Sequence, residues 1–255
     1  MLFTHTTFLG IDPTAGQRPF SYAALDNELN LLAMGHGNID DVLAFAAGQG
    51  QALAALCAPR RPNQGVMANP EVRKNLSPAP NPGRFENFRM ADYYLRRHNI
   101  NIPQTPKHEE DCPNWMRVGF ILFRRMGELG YQPFPVNEAE RQCLEVYPHA
   151  CFTVMLGVAP FPKYTLEGRL QRQLALFEQG VGVSDPMRFF EEITRFRLLR
   201  GILPLENLHT TDELDALVAA YTAWLAANHH ERVTLLGDPE EGQVVLPTPE
   251  LKTRY

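Results

Sequence analysis

The stretch TTFLGIDPTAG (residues 6–16) runs apolar up to a carboxylate and then turns. Phe8, Gly10 and Asp12 alternate with Leu9 and Ile11, so the segment reads as a strand of period two. Both of its faces are largely apolar, as in a central strand covered on both sides. Pro13, Thr14, Ala15 and Gly16 then turn the chain. Such a strand has no structural need of an acid at its end.

Working outward, FSYAALD (20–26) and ELNLLAMG (28–35) read as two further strands, joined through Asp26-Asn27. Short links make the three an antiparallel meander. Asn38 is placed to cap IDDVLAFAAGQ, an amphipathic helix with acids in its first turn. LAALCAP (53–59) follows as an apolar strand, expected to lie parallel to a meander strand because it arrives after a helix.

Residues 59–114 differ in character. They hold nine prolines, including the runs SPAPNPG (77–83) and NIPQTP (101–106). Proline at this density prevents long regular elements, although MADYYLRRH (90–98) suits a short helix. Residues 59–107 also carry nine Lys/Arg against three acids, +6 locally, which leaves −11 for the rest of a chain of net charge −5. A basic segment on an acidic body can hold a phosphate backbone, whereas the plain alternative is a solvated insertion.

Regular structure returns with WMRVGFILFRRMGELG (115–130), a helix ending at Gly130, and with the strand QCLEVY (142–147). Pro148 suits the first turn of the next helix. Helical stretches are expected over Leu166–Gln179 and Pro186–Arg200. In LHTTDELDALVAAYTAWLAANHH, Thr210 and Glu213 fit a capping box. Leu214, Leu217, Val218, Tyr221, Trp224 and Leu225 form an apolar stripe beside a small-residue stripe of Asp215, Ala219, Thr222 and Ala226. RVTLLG (232–237) and QVVLP (243–247) close the chain as extended segments.

Bulk properties exclude several classes. Net charge −5 argues against a general nucleic-acid coat protein. No apolar run reaches membrane-spanning length. Cys57, Cys112, Cys143 and Cys151 form no CxxC pair and no signal peptide is visible, so they read as reduced thiols of a cytoplasmic protein. No GxxxxGK[ST], GxGxxG or GxSxG occurs. His108 and Cys112 have no second ligand pair for zinc.

Three acids stand where local structure does not explain them: Asp12 at the end of its strand, Glu145 inside QCLEVY, and Asp215 beyond the first turn of its helix. Asp212 and Glu213 differ, because capping and the helix dipole account for them. A partly buried carboxylate is costly unless paired, hydrogen-bonded or metal-bound. Several gathered together repel one another, and a divalent cation removes that conflict. Hard oxygen donors with room for water and phosphate suit Mg²⁺ or Mn²⁺. Singly, each acid has a plainer reading: an Asx-turn for Asp12, a buried Arg partner for Glu145, a loop contact for Asp215.

The pieces GIDPTAG (10–16), LCAPRRPN (56–63), EVYPHACF (145–152), PKYTLEGRLQRQL (162–174), DELDALVAAYTAW (212–224) and EGQVVLP (241–247) resemble the uncharacterised "predicted nuclease, ribonuclease H fold" family, domain of unknown function 429. They spread over nearly the whole chain. The resemblance implies a single α/β domain over 1–255, a ribonuclease H-like mixed sheet flanked by helices. That sheet would join a three-stranded antiparallel meander to parallel strands, with the Pro-rich basic segment 59–114 as an insertion. It implies Asp12, Glu145 and Asp215 as catalytic and metal-binding acids. Two Mg²⁺ ions would then hydrolyse a nucleic-acid phosphodiester, DNA or RNA. The family often has Asp-Ala-Pro where this chain has Cys57-Ala58-Pro59, and a thiol is a poor Mg²⁺ ligand. Asp212 is the candidate substitute.

Convergence of strand ends, as in open α/β sheets, would bring Arg60, Arg61, Lys163 and Arg169 near the acids as phosphate-binding groups. Arg172 reads rather as neutralising buried acids or lining a solvated face. Two other readings stand beside the nuclease. A nucleotide-binding protein of the actin and sugar-kinase type needs two such halves and glycine-rich phosphate turns, and one half is visible. A non-catalytic binding or scaffold protein on a degenerate version of the fold is favoured by Cys57 and by the acidic net charge. Whether the acids face a cation site or are paired with basic side chains separates it from the nuclease.

Overall fold

The computed structural model describes residues 6–14, 18–76, 79–136 and 139–255. Ala15 and Gly16 of the first turn, and the start of the SPAPNPG run, lie outside these. Strands β1 (Thr6–Asp12), β2 (Phe20–Leu25) and β3 (Leu31–Gly37) form the antiparallel meander. The third strand starts later than its sequence suggests. Asp26 Oδ1 accepts from the backbone N–H of Glu28 (2.9 Å) and Asn30 (2.8 Å), and Leu29 takes a positive φ of 63°. An Asx-type turn therefore consumes residues 26–30.

Helix α1 (Ile39–Ala47) begins in a complete capping box: Asn38 accepts from Asp40 and Asp41, and Asp41 accepts from Asn38. It leads to β4 (Gln51–Leu56), which runs parallel to β1. Within the insertion lie α2 (Pro70–Lys74) and α3 (Met90–Arg97), so the proline runs punctuate short helices rather than leaving one open loop.

After α4 (Asn114–Glu128) come the two-residue β5 (Gln132–Pro133) and then β6 (Arg141–Glu145), parallel to β4. Helix α5 (Pro148–Leu156) starts on its proline and ends at Gly157 (φ 71°), and α6 (Leu166–Glu178) follows. The helix expected over 186–200 is two: α7 (Arg188–Glu192) and α8 (Arg195–Leu199). The chain extends at Ile193 and restarts on Thr194, whose hydroxyl accepts from Arg197. Helix α9 (Thr211–Asn228), β7 (Thr234–Asp238) and β8 (Gly242–Leu246) complete the chain.

The eight-stranded sheet has the order β3-β2-β1-β4-β6-β8-β7, with β5 on β6, so parallel and antiparallel pairings mix. Helices cover both faces. Leu9, Ile11 and Leu56 meet Val42 and Leu43 of α1 and Leu122 and Phe123 of α4. Phe8, Leu53 and Ala55 meet α5 and α9. Helix α9 lies directly on β1: a Cβ on Gly10 would fall 1.8 Å from the Ala216 carbonyl oxygen. The small-residue side of α9 permits that approach. Leu214, Leu217 and Leu225 are buried on its other sides, each contributing roughly 1.5–3 kcal/mol. Among the described residues no helix is long and apolar enough to cross a membrane.

Two buried acids, Glu145 and Glu241, pin the segment 59–114 to this sheet, and a third, Asp92, ties that segment to itself. Glu145 at the end of β6 takes both arms of the Arg89 guanidinium, one at 2.9 Å, and the Arg60 N–H at 3.0 Å. Asp92 pairs with Arg89 and accepts the Thr105 N–H at 2.8 Å. Glu241, between β7 and β8, accepts the N–H groups of Gln64 (2.9 Å) and Met90 (2.7 Å). Arg89 is only 1% exposed, so its charge is tolerable only because carboxylates surround it.

Candidate functional site

A cavity of about 310 Å³ opens where β1 and β4 end and α9 begins. Asp12 closes β1 and points to the α9 face, because Ile11 before it points to the α1/α4 face. Its Oδ1 accepts the Thr14 N–H at 2.9 Å, the Asx-turn expected of Asp-Pro-Thr. Across the cavity, Asp212 and Asp215 stand one turn apart on α9, which its capping box starts at Thr210. Lys163, from the loop between α5 and α6, forms an ion pair with Asp215 and lies 3.9 Å from Asp212. Arg18 pairs with Asp212 at 2.6 Å.

Three acids, Asp12, Asp212 and Asp215, and three bases, Arg18, Lys163 and Arg172, line this cavity. Burial pushes the Asp12 carboxyl up to about 7; repulsion from Asp215 and Asp212 adds to this, while Lys163 and the Thr14 N–H oppose it. Burial also raises Asp215, against the pull of Lys163 and Arg172. Burial works against the Lys163 charge, yet Asp215 and Asp12 hold its proton more firmly than in water. Two buried carboxylates therefore share one ammonium. Cys57 is buried beside them with its thiol 3.6 Å from the Asp215 carbonyl oxygen; burial, then Asp12 and Asp215, raise it well above its ordinary value, so it stays a neutral thiol.

The other walls come from residues that sequence reasoning did not assign. Tyr147 and His149 flank Pro148 as β6 gives way to α5, and Trp115 and Tyr164 also line the cavity. Burial and Arg172 lower His149, leaving a neutral imidazole. Arg172 is buried and donates to the carbonyls of Phe161 (3.0 Å) and Gly168 (2.9 Å). Position immediately after a strand's carboxyl end pointed to Tyr147 and His149. Nothing local marked Arg18 or Trp115.

Of the expected site residues, Asp12, Asp215, Asp212 and Lys163 come together. Glu145 does not join them. Ile11 pairs with Leu56 and Leu56 with Glu145, so Glu145 shares the Ile11 face, opposite Asp12, and Arg89 occupies it. Arg169 donates to the carbonyls of His209 (2.9 Å) and Leu208 (2.8 Å), holding the approach to α9. Arg60 and Arg61 line other cavities. Among the described residues no group of three or more His, Cys, Asp or Glu is arranged to hold a metal ion.

For one hard cation the donors nevertheless fit. Mg²⁺ commonly takes one or two carboxylates and fills its other positions with water and phosphate oxygens. Asp12 and Asp215 are two such donors lining the same cavity. For two cations bridged by a third acid they do not fit, because Glu145 lies on the other face.

The model of a family described as "Protein of unknown function (DUF429)" matches residues 54–241. No curated protein and no solved structure matches the chain.

Proposed function

The chain belongs to the family described as Protein of unknown function (DUF429), and we propose that its cleft hydrolyses a nucleic-acid phosphodiester with one divalent cation, Mg²⁺ or Mn²⁺. The observation that carries this reading is the pair Asp12 and Asp215: both buried, both lining one cavity, and both raised above the ordinary carboxylate range by burial. The strand order supports it too. An antiparallel meander followed by parallel strands, with the acid on the central strand, is the order expected of a ribonuclease H-like domain.

Asp12 and Asp215 would hold the cation, which supplies an acidified water and charge stabilisation of the phosphoryl oxygens. The chain's own groups account for the rest. Lys163 and Arg18 present positive charge to a phosphate entering the cavity. Asp12, whose carboxyl burial raises to about 7 without metal, would give up that proton when the cation binds. Trp115 and Tyr164 line the walls. Glu145 has no part in this reading.

A second reading, a non-catalytic binding protein on the same fold, is favoured by one observation: Lys163 neutralises Asp215 and Arg18 neutralises Asp212. Anomalous scattering from a crystal soaked in Mn²⁺ separates the two. A peak within ~2.0–2.6 Å of an Asp12 oxygen, with Lys163 displaced from Asp215, is expected for the hydrolase. Absence of a peak, with Lys163 still on Asp215, would leave the binding reading.

A further inference from the structure

Beyond Pro59, on the opposite side of the sheet's edge from the cleft, Arg60 and Arg61 border a second cavity of about 260 Å³ together with Arg124 of α4. Buried Phe120 and Phe123 line it, and exposed Glu109 is the one acid at its rim. Among the described residues none of these three guanidiniums forms an ion pair or donates a hydrogen bond to the protein. The buried arginines Arg73, Arg89 and Arg172 instead donate internally.

Three cations around one cavity call for an anion. Glu145 does not serve, since its oxygens are taken by Arg89 and by the Arg60 backbone N–H. Burial and then the neighbouring Arg61 make the Arg60 guanidinium easier to deprotonate than usual, against the pull of Glu145. Guanidinium forks match phosphoryl oxygens in pairs, which an ammonium does not.

We propose that this groove is a phosphate-binding subsite, distinct from the cleft, which holds a phosphoryl oxyanion between Arg60, Arg61 and Arg124. Cys57 lines the cleft and Arg60, three residues on, lines the groove. Three residues span at most about 11 Å. A single polynucleotide strand can therefore touch both, and that use of the groove rests on the phosphodiester reading. The anion site itself does not.

The test is binding without turnover. A fluorescent single-stranded 12-mer is titrated in EDTA by anisotropy, and inorganic phosphate by calorimetry, against wild type, Asp12→Asn and Arg61→Ala/Arg124→Ala. The double variant is expected to weaken oligonucleotide binding at least 10-fold and to lower its salt slope by about 1.4, two phosphate contacts fewer. The Arg61→Ala/Arg124→Ala change is expected to weaken binding by the same factor in the Asp12→Asn background, so failure of the hydrolase reading leaves this result intact. Saturable inorganic phosphate binding lost in the double variant, without oligonucleotide binding, would keep the anion site and assign it to free phosphate. If wild type binds neither probe, or the folded double variant binds both as wild type does, the proposal falls.

Discussion

Asp12 and Glu145 end strands separated only by β4, yet their side chains leave opposite faces of the sheet. Asp12 opens onto the cavity shared with Asp215; Glu145 closes on Arg89. One residue of strand phase thus divides two acids of similar sequence character between a candidate reaction site and an anchor.

Replacing Asp12 by Asn should abolish any Mn²⁺-dependent cleavage while leaving the melting temperature unchanged or higher. The reason is the carboxyl's displacement from 3.8 to about 7. Between those values the folded state keeps a proton that the unfolded chain releases, so this group's contribution to stability is greatest below pH 4 and is lost as pH rises toward 7. In metal-free buffer the stability of wild type should fall across that window by about 2–4 kcal/mol relative to Asp12→Asn. Parallel stability-against-pH curves for the two proteins would contradict this assignment.

Lys163→Met removes the ammonium that Asp12 and Asp215 share. Without metal it should cost about 1–3 kcal/mol, less than for a fully buried pair because Lys163 is partly exposed. Added Mn²⁺ should restore most of the loss in a thermal melt if the acids accept a cation. A loss that Mn²⁺ does not touch would favour the binding reading.

Glu145→Gln should lower stability by roughly 3 kcal/mol, because it leaves the buried Arg89 charge paired with Asp92 alone. Activity per folded molecule should be preserved. The double variant Glu145→Leu/Arg89→Met should be more stable than the single one. A selective loss of turnover in a folded Glu145→Gln protein would return this residue to the reaction.

Gly10→Ala inserts a methyl into the α9 backbone, 1.8 Å from the Ala216 oxygen and 2.5 Å from the Ala220 nitrogen. It should cost about 3 kcal/mol or more and displace Asp215 relative to Asp12. Denaturant unfolding measures the first effect; Mn²⁺ affinity, weakened more than stability alone predicts, measures the second.

Much of this architecture was readable before any coordinates. Alternation in TTFLGID, the Asn38 cap, Pro148 at a helix start and the Thr210–Glu213 box each depend on residues within about one turn or strand of one another. Reading failed where a local device overrode a longer pattern. Asp26 captured two backbone N–H groups and delayed β3, and Thr194 restarted a helix inside 186–200.

For the site, position on a strand or helix marked Asp12, Glu145 and Asp215 as acids that local structure does not explain, and all three are buried. What the sequence by itself determined was which side chains require a charged or hydrogen-bonding partner, because desolvation cost follows from residue type and strand or helix phase. Which partner each received was decided by tertiary structure. Lys163 meets Asp215 across 52 residues, and Arg89 meets Glu145 across 56. Those pairings depend on strand register and on the path of an insertion, which only the packed sheet and its helices specify.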